Sequence, residues 1–165
     1  MIRAIHPARL RAKRGGEDVM LDLALAIGHH LLVFSLAATL FGERLLLRTD
    51  TPDVRRLAGL DGLYGGLSVL VLAVGLARVV WGGKGWAFYQ GNPFFWAKIG
   101  TFVLIGLASV PPTLAFLRWN RARRSNDAFA PPRAELAAAR RWTLVELALL
   151  VALIGFAAAM ARWPF

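Results

Sequence analysis

The stretch Tyr89–Trp119, YQGNPFFWAKIGTFVLIGLASVPPTLAFLRW, decides the fold. From Ile99 to Leu117 nineteen residues pass without a charge. At about 1.5 Å of rise per residue, a helix of that length matches the hydrocarbon core of a bilayer. Phe94, Phe95 and Trp96 crowd its front and Trp119 closes its back, as an interfacial aromatic belt does. Pro111 and Pro112 remove two backbone donors and predict a kink in its second half. Lys98 sits inside the leading edge, where an ammonium needs a partner or a route to the headgroups. Lys98 is therefore the first candidate functional residue.

Outward from this stretch the same pattern recurs. Apolar blocks at about 20–41, 59–81, 94–117 and 142–160 give four spans, in a chain of 165 residues that is 57% hydrophobic. Apolar residues in blocks this long, without strand-like alternation, predict an all-α integral membrane four-helix bundle formed by residues 20–165. Residues 1–19 read as a basic tail that contains no apolar block long enough for a signal peptide, and Met20 offers an alternative start. Cysteine is absent, which excludes disulfides, thiolate metal sites and cysteine nucleophiles.

The net charge of +10 sits mainly between the apolar blocks and comes with no nucleic-acid-binding motif. It reads as contact with the lipid bilayer and as a topology signal. Counted from Met20, Arg78, Lys84, Lys98 and Arg162 lie on the side of the termini, against eleven arginines in the first and third loops. The positive-inside rule then puts loops 42–58 and 118–141 in the cytoplasm of a bacterial inner membrane, with the termini outside. Retaining residues 1–19 adds five basic residues to the outer side and narrows the difference to 9 against 11.

Alternating spans sort the ionisable residues into two depths. His29, His30, Arg78 and Lys98 fall in the half nearest the termini. Glu43, Arg44, Asp61 and Glu146 fall in the other half, where pairing of Glu43 or Glu146 with Arg44, Arg118 or Arg141 would make burial tolerable. On the first span Asp22, His29, Leu36 and Glu43 recur every seven residues, so their stripe should face the bundle. His30 lies about 100° further round, with Ala37 and Arg44. His29 is thus expected to point inward toward Lys98, with His30 secondary. Gly62 and Gly66 form a GxxxG pair suited to close helix approach. The segment Trp86–Tyr89 is expected to lie at the interface as a lid.

Within a four-helix bundle an imidazole can ligate haem iron, and nearby Lys or Arg can neutralise the propionates. Without cysteine, haem b with His29 or His30 as ligand, flanked by Arg78 and Lys98, is the main metal option. A histidine hydrogen-bonded to a neighbouring helix, with Lys98 reaching the headgroups, is the alternative. Two further classes stay open: a non-catalytic helical membrane subunit or scaffold, including a homo-oligomer, and a small membrane transporter. Three methionines and no methionine-rich motif argue against copper handling.

The segments HHLLVFSLAATLFGERLLLR (29–48), LAGLDGLYGGLSVLVLAVGLARVVWGGKGWAFYQGNPFFWAKIG (57–100) and LASVPPT (107–113) carry a resemblance. Over roughly residues 20–160 the chain resembles a bacterial family of predicted four-span inner-membrane proteins, which implies a membrane location. More distantly it resembles the HemJ-type protoporphyrinogen oxidases and the CopD-like membrane domains. The positions that match the HemJ type are His29 or His30, Arg44-Leu45, and the entry Phe95-Trp96-Ala97-Lys98-Ile99. That resemblance implies a haem b held by the histidine, a functional Lys98, and oxidoreductase chemistry on a tetrapyrrole with a membrane electron acceptor. The doubled histidine, Glu43 before the arginine, and ARRWTLVEL at the last span depart from the pattern.

Overall fold

The computed structural model describes residues 7–162, with side chains from residue 18 onward. His6, Trp163 and Phe165 lie outside the described residues. Four long helices, α1 (Pro7–Leu46), α2 (Val54–Trp81), α4 (Pro93–Ser125) and α5 (Arg133–Arg162), and one short helix, α3 (Trp86–Gln90), follow one another. Each long helix contains a stretch apolar and long enough to cross a membrane. Large side chains such as Leu31, Phe34, Val69, Leu107 and Val151 stand exposed around the outside. In water this would be a severe liability; in a bilayer it is the lipid-facing surface. The chain is a multi-pass membrane protein folded as a four-helix bundle.

α4 packs most extensively on α5 and α1 on α2, and α2–α4 and α1–α5 complete the ring. α1 therefore faces α4 only diagonally. Between the membrane depths of the four helices lies a core of Leu36, Leu40, Tyr64, Ile105, Leu150 and Leu153. Toward the first and third loops a second core gathers Leu47, Val54, Leu57, Phe116, Trp119 and Leu136.

The helices outrun the apolar blocks. α1 begins at Pro7, so residues 7–19 continue the first span as helix. α2 begins at Val54, because Asp53 caps it by accepting from the backbone N–H groups of Arg55 and Arg56 at 3.1 Å. Most of the arginine-rich third loop is helix too, leaving only residues 126–132 as connection. α4 runs through Pro111 and Pro112 without interruption.

Three side chains tie the ends together. Arg140 on α5 donates to the carbonyls of Leu47 (2.6 Å) and Thr49 (2.9 Å) and to Asp50 (3.1 Å), closing the C-terminus of α1. Glu135 accepts from Arg118 (2.7 Å) and from the buried Trp119 indole (2.6 Å), joining α4 to α5. At the opposite end the fully buried Asn92 caps α4 through Phe94 N–H (3.0 Å) and donates to the Met160 carbonyl (3.2 Å).

Candidate functional site

The first polar layer sits in the half of the bundle nearest the termini. α1 turns His29 against α2, where only the missing side chain of Gly75 makes room. A Cβ there would stand 3.3 Å from His29 Cε1. The imidazole Nδ1 is buried, and the ring faces the Val71 backbone of α2. Lys98 and Arg78 both lie within electrostatic reach of the ring. Arg78 Nε is buried without a hydrogen-bond partner. Lys98, half-buried, places its ammonium 3.8 Å from Met160 Sδ and 5.6 Å from the Phe95 ring centre. Among the described residues no carboxylate pairs with Lys98 or Arg78. Asp22 lies instead against the end of α2, at Gly82 and Gly83. His30 is exposed, and its Nδ1 is engaged 2.6 Å from the Ala26 carbonyl of its own helix.

Over this layer α3 packs as an aromatic cover. Tyr89 is buried with its ring 5.3 Å from Phe95, and Trp86 meets Phe95 and Trp96 edge-on. Trp86 and Trp96 remain half-exposed at the interface, where Trp96 Nε1 donates to the Gln90 carbonyl.

The second polar layer lies toward the first and third loops. Glu43 (α1), Asp61 (α2) and Glu146 (α5) are all buried and lie within electrostatic reach of one another. Pairing of Glu43 or Glu146 with Arg44, Arg118 or Arg141 does not occur among the described residues. The reason is geometric. Arg118 is held by Glu135 on the outside, and Arg44 projects from the neighbouring stripe of α1. The groups that converge on the carboxylates are polar and uncharged. Asp61 accepts from Thr113 at 2.7 Å, and the buried Tyr64 hydroxyl turns toward Glu146. Glu43 Oε1 has no hydrogen-bond partner. Among the described residues no three His, Asp or Glu side chains stand close enough to hold a metal ion.

The family model of a predicted membrane protein (DUF2214) matches residues 21–163. The chain belongs to the DUF2214 family. No curated protein and no solved structure matches it. Sequence reasoning missed Tyr64 and Thr113, which look like ordinary membrane-helix residues. Their only signal was their spacing on the inward stripes, Tyr64 three residues after Asp61 and Thr113 directly after the prolines. Gly62 and Gly66 take no part in close packing within the bundle: a Cβ at either would meet nothing within 4 Å.

Proposed function

We infer that this member of the DUF2214 family is a haem b-binding redox protein, with His29 as the iron ligand and Arg78 and Lys98 beside the propionates. The observation that carries the reading is a bundle-facing imidazole in one layer with a buried guanidinium nitrogen that has no hydrogen-bond partner and an ammonium lacking a carboxylate. Buried polar groups are normally satisfied, so this layer calls for a ligand that supplies both an acceptor for imidazole electrons and negative charge. The donor set fits that of haem b. When bound, haem supplies one-electron transfer. The chain's residues do the rest: Gly75 sets the imidazole against α2, Arg78 and Lys98 neutralise carboxylates, and the Trp86–Tyr89 cover excludes water. An electron acceptor dissolved in the bilayer is the matching partner.

Protein purified in detergent from haem-supplemented cells should show a Soret band that His29→Ala removes and His30→Ala retains. A colourless wild-type preparation overturns the reading. The same proposal places connections 47–53 and 126–132 in the cytoplasm, because the arginines cluster around them. The absence of cysteine makes this measurable. In intact cells a Gly83→Cys label should react with an impermeant maleimide and a Thr51→Cys label should not; the reverse pattern inverts the orientation.

A further inference from the structure

Between α2 and α4, whose contact is looser than that of α4 with α5, a lateral groove of about 350 Å³ opens on the lipid-facing side. Its walls include Asp61, Tyr64, Ser68, Gly106, Ser109 and Thr113. Gly106 is exposed on one wall and a Cβ there would meet nothing. The groove is therefore open because small residues line it, and it lies alongside the acidic layer.

Its hydrogen-bonding character is one-sided. Ser68 donates its hydroxyl proton to the Tyr64 carbonyl (2.9 Å), Ser109 to the Gly106 carbonyl (2.9 Å), and Thr113 to Asp61 (2.7 Å). Each of these hydroxyls has spent its donor and keeps only lone pairs. No Lys or Arg lines the groove. Behind Asp61 stand Glu43 and Glu146 without cationic partners among the described residues. Tyr64 is buried, and its hydroxyl turns toward Glu146, on the bundle side of the groove. The loop arginines lie outside the groove, and Arg118 and Arg140 are already paired with Glu135 and Asp50. An anion or a ligand that must accept several hydrogen bonds finds few donors in this groove. A positive charge on an apolar body finds acceptors on every polar wall, in a medium where uncompensated charge is expensive.

We propose that the α2–α4 groove binds a lipophilic organic monocation, entering from the bilayer, with Asp61 as its counter-charge. Charge complementarity selects this occupant over a lipid acyl chain or a second copy's helix, neither of which uses the carboxylates.

The test titrates the purified full-length protein with tetraphenylphosphonium, following tryptophan fluorescence, with the isosteric anion tetraphenylborate as comparison. The cation should bind saturably and the anion should not. Asp61→Asn, which keeps an acceptor for Thr113, should weaken cation binding at least tenfold. Gly106→Leu, which fills the groove without touching a carboxylate, should weaken it comparably. Gly106→Leu faces open space, so it keeps the test decisive if Asp61→Asn fails to fold. Equal binding of the anion, or unchanged cation affinity in whichever variants fold, overturns the proposal. So does failure of the cation to bind, whether or not the groove proves to cross-link to a second copy.

Discussion

Removing the Arg140 side chain should destabilise the bundle from its loop end, through lost capping rather than a lost ion pair. Its guanidinium closes the C-terminus of α1 from α5, two helices joined by no short connection. The bond to the Leu47 carbonyl is the strong one: it is short at 2.6 Å, partly buried and charge-assisted. A bond of that kind contributes about 1.5–3 kcal/mol. The contacts with Thr49 and Asp50 are exposed, Asp50 at 85%, and together they add only about 0–1 kcal/mol. Arg140→Ala should therefore cost about 2–4 kcal/mol, and Asp50→Ala less than about 1 kcal/mol. Arg140→Lys should recover under half the loss, because a single ammonium cannot reach the Leu47 carbonyl and Asp50 together. Unfolding by sodium dodecyl sulfate in mixed micelles, followed by circular dichroism, measures all three. If Asp50→Ala costs as much as Arg140→Ala, the surface ion pair is the source of stability and the capping argument is refuted.

Other substitutions read other parts of the fold. Asn92→Ala leaves the Met160 carbonyl and the α4 N-terminus without their buried partner, and should cost about 1–3 kcal/mol in the same unfolding assay. Gly75→Val cannot fit beside His29, where even a Cβ would stand at 3.3 Å; it should abolish the Soret band while elution on size exclusion stays unchanged. Glu43→Gln keeps the shape of a buried side chain and replaces an ionisable carboxyl that has no cationic partner among the described residues, so stability should hold or rise. Glu43→Ala leaves a void in its place and should lower stability by about 2–4 kcal/mol, measured by the same titration.

The spans were legible because an apolar run reports the thickness of hydrocarbon directly, and the four blocks lie inside the four long helices. Helix ends were not, because hydropathy stops at the bilayer surface while helices do not. Asp53 starts α2 five residues ahead of the expected Gly59, and arginines, good helix formers, carry α4 to Ser125. On α1 the seven-residue stripe correctly grouped Asp22, His29, Leu36 and Glu43 as bundle-facing, since periodicity encodes which side of a helix a residue takes. What each then meets depends on which helices are neighbours, and the ring order cannot be read from one helix's periodicity. α1 lies beside α2 and α5, so Glu43 meets Asp61 and Glu146 rather than an arginine of α4. The GxxxG pair illustrates the same limit: small residues permit close approach, but in this bundle they border an open groove.

The two polar layers differ in sign and are separated along α1. His29 and Glu43 are fourteen residues apart, about 21 Å of helix, with Leu36 fully buried between them and Leu40 beside Glu43. Tyr64 packs in the same apolar core as these leucines, so its hydroxyl belongs to the acidic side. At that separation, across an apolar layer and with no described side chain bridging it, changes in one layer should not reach the other. His29→Ala should remove the Soret band and leave tetraphenylphosphonium affinity within twofold of wild type. Asp61→Asn should do the reverse. If instead His29→Ala weakens cation binding as strongly as Asp61→Asn does, the layers act as one site through the bundle axis, and the insulating role assigned to Leu36 is wrong.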